Sequence, residues 1–220
     1  MDSRKNFIFG CSGHGKVIAE LAEMLNLKIE AFLDDSPKGK HFGTIPIYNT
    51  TEKLSFDANS SLIIGVGNNK IRKMLSARFD YFKLFTLIHK SAIISTSAKI
   101  ENGTVVMANV IVNAEAQIGQ HVILNSASII EHNCIIGDFV HVSPGVTLSG
   151  NIIIGEGTHI GSGSTVIPGI KIGKWCTIGA GTVVLKDVPD GATVVGNPGR
   201  VIKSSNNYDI LEYEKNVNLK

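Results

Sequence analysis

From Ile88 to Val184, every sixth residue is aliphatic, for seventeen positions without a break in register. A period of six matches neither the 3.6 of a helix nor the 2.0 of a flat strand, and repetition at a fixed short period marks a solenoid. Two residues before each aliphatic stands a second set, mostly small or β-branched, including Thr104, Val110, Ala116, Val122, Ser128, Cys134, Ser164, Cys176 and Thr182. Positions i and i−2 share one side of a strand, so both sets point the same way. Gly follows the aliphatic at 119, 137, 155, 161, 173 and 179, where the chain is expected to turn. The simplest object with these properties is a three-sided prism of short stacked strands, six residues per side and eighteen per coil.

Upstream of the repeat the pattern changes. Residues 6–10 form an apolar strand that runs into GCSGHGK, after which Val17, Ile18, Leu21, Ala22 and Leu25 recur at helical spacing. A second strand, Ile29 to Leu33, ends in Asp34 and Asp35. A third, Leu62 to Val66, ends in Gly67 before the helix-like KIRKMLSARF, and a fourth is LFTLI at 84–88. Strands alternating with helices predict a parallel sheet whose ligands sit beyond the carboxyl ends of the strands. The expected organisation is an α/β truncated Rossmann-like unit over 1–86, an all-β prism over 87–203 and a tail over 204–220, in which Tyr208, Ile210, Leu211 and Tyr213 suit one short helix.

Composition excludes several classes. A net charge of +2, with acids and bases interspersed, provides no basic face for nucleic acid and no polybasic membrane anchor. No apolar run is long enough to span a bilayer, and MDSRKNFIFG is too short in apolar residues for a signal peptide, so a cytoplasmic protein is expected. Cys11, Cys134 and Cys176 lack CxxC spacing, and the last two fall in the inward set. They read as buried thiols.

The glycines at 10, 13 and 15 run G-x-x-G-x-G, which is not the dinucleotide order, yet backbone N–H groups at a helix start suit a phosphate. A carboxylate about twenty residues later suits a ribose hydroxyl. Nucleotide binding is favoured over a bare turn, and whole NAD is disfavoured because the unit is too small for a second mononucleotide half. His14, a bulky ring inside that turn, reads as a ligand contact or else as a capping or solvent-facing residue. In the prism, one coil separates His132 from Ala114 and from Gly150, so its imidazole has open space around it and suits a general base. His141 stacks beneath His159, which reads as a decoration of the outer surface. The spacings of nine and eighteen between His132, His141 and His159 include no close pair, which disfavours a metal.

The hexapeptide pattern resembles left-handed β-helix acyltransferases. Joined to FIFGCSGHGK, FLDDS, IGVGNN, LNSASIIEHNCIIGDFVHVSPG and VVGNPGRVIK, it is similar to bacterial nucleotide-amino-sugar N-acetyltransferases, close to the sialic acid O-acetyltransferases, over almost the whole chain to Lys203. The resemblance implies a left-handed coil, a homotrimer with active sites between prisms, acetyl-CoA as acyl donor and no metal. It implies that Ser12, Gly13, His14, Asp34, Asp35 and Gly67 bind a UDP-sugar. It further implies that His132 is the catalytic base, that Asn125 and His141 line its cleft, and that His141, Ser162 and Ala180, with Gly161 beside them, contact acetyl-CoA.

Where the family carries Asp or Glu after the catalytic histidine, this chain has Asn133. An amide oxygen can accept the imidazole N–H without stabilising its charge; otherwise Glu131 or another subunit substitutes. The expected reaction is direct acetylation of a UDP-linked 4-amino-4,6-dideoxy sugar used in surface glycans. The Gly150 N–H would steady the oxyanion, and Arg200 and Lys203 would meet CoA phosphates or stand as plain surface charges. Acetylation of a sugar hydroxyl, a non-catalytic nucleotide-binding solenoid and a zinc hydratase are the rivals. Outward aliphatics, Val105, Ile111, Ile123, Ile129, Ile135 and Ile153, are expected to bury one prism face against sister chains.

Overall fold

In the computed structural model, the described residues are 5–51, 56 and 59–204, so the helix suggested for the tail lies outside them. The N-terminal unit runs β1 (Lys5–Phe9), α1 (Gly13–Met24), β2 (Ile29–Asp34), β3 (His41–Phe42), β4 (Ile45–Asn49), β5 (Ser60–Ile64), α2 (Asn69–Arg78) and β6 (Lys83–Leu84). The sheet order is β3-β4-β2-β1-β5-β6, parallel apart from the β3–β4 hairpin. Alternation along β1 sends Phe7 and Phe9 to one side and Ile8 to the other. The first side packs on Leu75 and Phe79 at the end of α2, and the second on Ile18, Leu21 and Ala22 of α1. The same core continues from α1 into the prism through Leu87 and Val105, so α1 is sandwiched between sheet and prism.

LFTLI, expected as one strand, is two. Leu84 ends β6, whereas Leu87–Ile88 opens the prism by pairing with Val105–Val106. The chain leaves one sheet for another there, and a single straight strand cannot pair with both.

The prism is a left-handed parallel β-helix, as expected. Its first face stacks Leu87–Ile88, Val105–Val106, Ile123–Leu124, His141–Val142, His159–Ile160 and Thr177–Ile178, and is extended by Thr193–Val195 and Arg200–Lys203. The second runs from Ile93–Ile94 through Ile129–Ile130 to Val183–Val184, and the third from Lys99–Ile100 through Ile135–Ile136 to Lys171–Ile172. Inward aliphatics such as Val106, Leu124, Val142 and Ile160 are fully buried, while Ile88, in the terminal coil with no coil above it, is 36% exposed. Some inward polar residues bond along the ladder, Thr104 Oγ1 donating to Gly119 O at 2.8 Å and accepting from Val122 N at 3.0 Å, whereas the buried hydroxyls of Ser128 and Thr182 have no partner. Cys134 and Cys176 face inward, each Sγ donating to a carbonyl, Ser149 O and Pro189 O respectively.

The glycines after the aliphatics do not make the turns. A left-handed φ recurs instead at every sixth residue from Gly103 to Gly181, two places later, and non-glycine residues including His121, Asn133, Phe139 and Trp175 accept it. At the expected turn positions the constraint is proximity of coils. A Cβ on Gly137 would lie 2.8 Å from Glu156 N, and one on Gly155 would lie 2.6 Å from Lys174 N.

The outer faces also differ from expectation. Val105 and Ile123 on the first face are each 1% exposed, covered by the chain's own N-terminal unit. Ile135 and Ile153, on the third face, remain 44% and 39% exposed, and Ile111 and Ile129 on the second are half-buried. One face is therefore occupied within the chain. Among the described residues, no helix is long and apolar enough to cross a membrane.

Candidate active site

His132 sits at the corner between the second and third faces, in a column with Ala114 and Gly150. The Asn133 N–H donates to Ala114 O at 2.9 Å and the Asn151 N–H to His132 O at 3.0 Å, which holds the column in register. Asn133 takes the left-handed conformation, with φ 60, a region in which Asn is enriched because its short side chain bonds locally. That geometry brings Asn133 Oδ1 to 3.0 Å from His132 Nδ1. An amide oxygen only accepts, so the proton is on Nδ1 and Nε2 presents a lone pair. Gly150 packs against that edge of the ring: a Cβ there would lie 2.5 Å from Cε1 and 2.6 Å from Nε2. The space expected at position 150 is filled by the ring itself, which packs on bare glycine backbone. The Gly150 N–H has no acceptor among the described residues.

A second cluster forms on the first face, under the N-terminal unit. His141 and His159 pair in register with ring centroids 5.0 Å apart. Asn125 Oδ1 accepts from Ser126 N at 2.9 Å, which turns its Nδ2 toward His141 Nε2 at 3.3 Å. His159 Nε2 is 2.9 Å from Ser143 Oγ. It is no surface decoration: it lines a cavity of about 360 Å³ with Gly67, Asn68, Asn69 and Trp175. The physical reason is that docking of α2 converts this stretch of outer face into an interior seam.

Burial, then the charges of His159, Arg72 and His14, lower the His141 pKa to about 3 against a smaller upward pull from the Gly67 carbonyl. Burial and then Arg72 lower His14 to about 4, and push His159 down as well. These rings stay neutral at pH 7 and serve as hydrogen-bonding groups. His132 is exposed and lies at the corner opposite the first face, so within one chain it stands apart from Asn125 and His141.

In the N-terminal unit, Ser12 is the N-cap of α1, and its side chain makes no capping bond. Gly13 is exposed, with nothing within 4 Å of a would-be Cβ. His14 neither caps nor faces solvent: it is mostly buried, and its Nε2 has no partner. Asp34 is partly committed, Oδ2 accepting from Cys11 N at 2.9 Å and Oδ1 from Ser36 N at 2.8 Å, which ties β2 to the glycine turn. Asp35 pairs with Arg78 Nη1 at 2.8 Å and accepts from Thr50 Oγ1. Both carboxylates therefore hold the loops at the strand ends as well as standing where a ligand would.

At the corner between the first and second faces, Ser162 and Ala180 are exposed and stacked one coil apart. Gly161 beside them is buried, donates to Ile178 O and accepts from Ser164 N, and its would-be Cβ lies 2.6 Å from Ala180 N. It is a packing residue, with its backbone groups used by the coil, and not a ligand donor. Arg200 and Lys203 are exposed on the final strand; Arg200 donates to Gly199 O at 3.0 Å. Among the described residues, no three His, Cys, Asp or Glu side chains gather as metal ligands.

Sequence reasoning missed Arg72 and Asn69, which join α2 to the prism, and Ser143, which meets His159. The available signal was a lone Arg on the apolar side of KIRKMLSARF, at i+3 from an Asn that itself follows an N-cap Asn.

The PglD N-terminal domain family matches residues 5–79, and the bacterial transferase hexapeptide family (six repeats) matches 151–186. A UDP-N-acetylbacillosamine N-acetyltransferase of Bacillus subtilis (strain 168) is 45% identical over 108 residues, 46% of this chain, and the match spans half the length of that relative. The acetyltransferase domain of PglB from Neisseria gonorrhoeae FA1090, solved with acetyl coenzyme A, superposes with a TM-score of 0.85 at 41% identity, covering 90% of this chain and 99% of that one. A mutant perosamine N-acetyltransferase from Caulobacter crescentus, solved with CoA and GDP-perosamine, gives a TM-score of 0.85 at 30% identity, over 92% and 98% of the two chains. With the α/β unit, the hexapeptide prism and the His132 corner all in place, the chain belongs to the family of hexapeptide-repeat sugar N-acetyltransferases.

Proposed function

We propose that the chain transfers the acetyl group of acetyl-CoA to the amine of a UDP-linked 4-amino-4,6-dideoxy sugar used in bacterial surface glycans. The observation that carries the reading is the His132 corner: Asn133 holds Nδ1 as donor, Nε2 is left basic, and Gly150 lets the ring pack against the coil backbone. The amine attacks the thioester carbonyl carbon, His132 Nε2 takes an amine proton, and collapse of the tetrahedral adduct breaks the C–S bond and expels CoA thiolate, to which the imidazolium returns the proton. Gly150 brings a spare backbone N–H to the same corner for the developing oxyanion. No covalent enzyme intermediate is needed. Buried Cys134, its thiol pKa raised first by desolvation, is a poor nucleophile.

Ser12, Gly13, His14, Asp34, Asp35 and Gly67 stand at the carboxyl ends of β1, β2 and β5, where a sugar nucleotide belongs. His141, Ser162 and Ala180 would hold acetyl-CoA, with Arg200 and Lys203 near its phosphates. The UDP form is favoured over GDP because the relative of higher identity acts on a UDP-sugar. Because His132 lies opposite the first face, a second copy must present its corner to the sugar site of the first. This supports a homotrimer with shared sites, in the cytoplasm where acetyl-CoA is made. Incubation with acetyl-CoA and the UDP-amino sugar should release free thiol and yield a product heavier by one acetyl group. No thiol release above the uncatalysed rate, or release only with a hydroxyl analogue, overturns the N-acetyltransferase reading.

A further inference from the structure

The N-terminal unit and the prism meet along a polar seam whose centre is Arg72. Its side chain is a cation only 1% exposed. Nε donates to His121 O at 2.8 Å, Nη1 to Val66 O at 3.0 Å and Gly67 O at 3.2 Å, and Nη2 to Asn69 Oδ1 at 2.9 Å and Phe139 O at 2.7 Å. None of these acceptors is a carboxylate. An uncompensated buried charge is costly, and a planar five-donor fork can engage this many oxygens where an ammonium cannot. The prism acceptors are available for a specific reason. His121 and Phe139 both occupy left-handed corner positions, and their carbonyls accept no bond in the coil ladder. Asn69 uses the next carbonyl in that column, Gly157 O, at 3.0 Å.

We propose that Arg72 is a positioning residue for acyl transfer: it ties the Val66–Gly67 loop to the prism corner and so sets the Gly67 carbonyl against the His141 ring. The proposal rests on the reading of Gly67 as part of the sugar-nucleotide site and of His141 as part of the acyl-donor side. The Gly67 oxygen accepts from Arg72 Nη1, and its carbonyl favours the protonated His141 ring. Asn125 Nδ2 donates to His141 Nε2, which leaves the proton on Nδ1 and selects a single tautomer. The titratable groups facing His141 are His159 on the next coil, Arg72 from α2 and His14 from α1, and all oppose its protonation. Arg72 therefore links loop placement, ring orientation and ring charge.

The test compares Arg72→Lys, Arg72→Met and the control Lys73→Met. The control breaks the neighbouring ion pair with Glu156 and the contact over the Trp175 ring without touching the 66–67 loop. KM is measured separately for the UDP-amino sugar and acetyl-CoA, and histidine ring ¹⁵N–¹H spectra are recorded on ligand-free protein. Both Arg72 variants should raise the sugar KM by about tenfold, with acetyl-CoA KM held within about twofold, because uniform binding on one side is lost. Arg72→Met should also give mixed His141 tautomers that protonate at higher pH than in wild type. Lys73→Met should match wild type in both readouts. A wild-type sugar KM and an unchanged single tautomer in Arg72→Lys and Arg72→Met, even with a lowered Tm, would overturn the proposal; if Arg72→Met does not fold, Arg72→Lys decides. If the wild-type protein fails to acetylate the UDP-amino sugar, the functional reading falls while the ring spectra still judge Arg72.

Discussion

His132 depends on two neighbours that act by opposite means, Asn133 by what it offers and Gly150 by what it lacks. The Asn133 amide orients the ring without lending it charge. His132→Ala should therefore lower kcat by roughly 10²–10⁴, the usual worth of a general base, with little change in either KM. Asn133→Asp keeps a residue suited to the left-handed corner and adds a negative charge that favours imidazolium. The acidic limb of kcat/KM should move to higher pH, with any rate gain confined to pH above neutral, as a pH-rate profile will show. Gly150→Ala places a methyl group 2.6 Å from Nε2. It should cost kcat about as much as removing the base does, while the Tm moves by only a few degrees; near-normal turnover in Gly150→Ala would mean the amine approaches from another side.

At the scale of the element, α2 and the first prism face make a seam lined by histidines that fold neutral. His14 and His141 have pKa values lowered to about 4 and about 3 from 6.5, first by burial, and His159 is lowered likewise. Because the unfolded chain binds these protons first, stability present above about pH 6.5 is lost as pH falls toward 4. Urea unfolding midpoints should therefore drop from pH 7 to pH 5, and a His141→Asn variant should lose less over that interval than wild type. A midpoint flat across that range would contradict neutral burial of these rings. The inward aliphatic period was legible because it reports only the repeat, whereas the glycines were misread because their clash partners lie one coil away, at Glu156 and Lys174.

At the scale of the molecule, the N-terminal unit covers the first face, and Ile135 and Ile153 on the third stay exposed. Light scattering should show a trimer at micromolar concentration. Ile135→Lys combined with Ile153→Lys, both on the open third face, should shift it to smaller species and abolish turnover, since His132 would lose the partner site it serves. A fully active monomer in either protein would refute the shared site. The same arrangement explains why Val105 and Ile123 were grouped with Ile135 and Ile153 by their pattern and yet have different partners.

The sequence alone determined the prism, its coil length and the stacks it produces, His141 on His159 and His132 beside Gly150. A fixed period places residues eighteen apart on top of one another whatever surrounds them. It also determined that an amide, Asn133, directly follows His132. Tertiary structure alone decided which face the N-terminal unit covers, that His159 lines a cavity, that Arg72 is buried and that Gly161 is a packing residue. The first three depend on how two separately patterned units dock, and docking is set by carbonyls at left-handed corners and a five-donor fork, features that leave no periodic trace, whereas Gly161 is confined by Ala180 on the next coil of the prism. His132 and the docked N-terminal unit lie on opposite sides of one chain for the same reason: the repeat dictates the corner, and only the docked unit dictates the face.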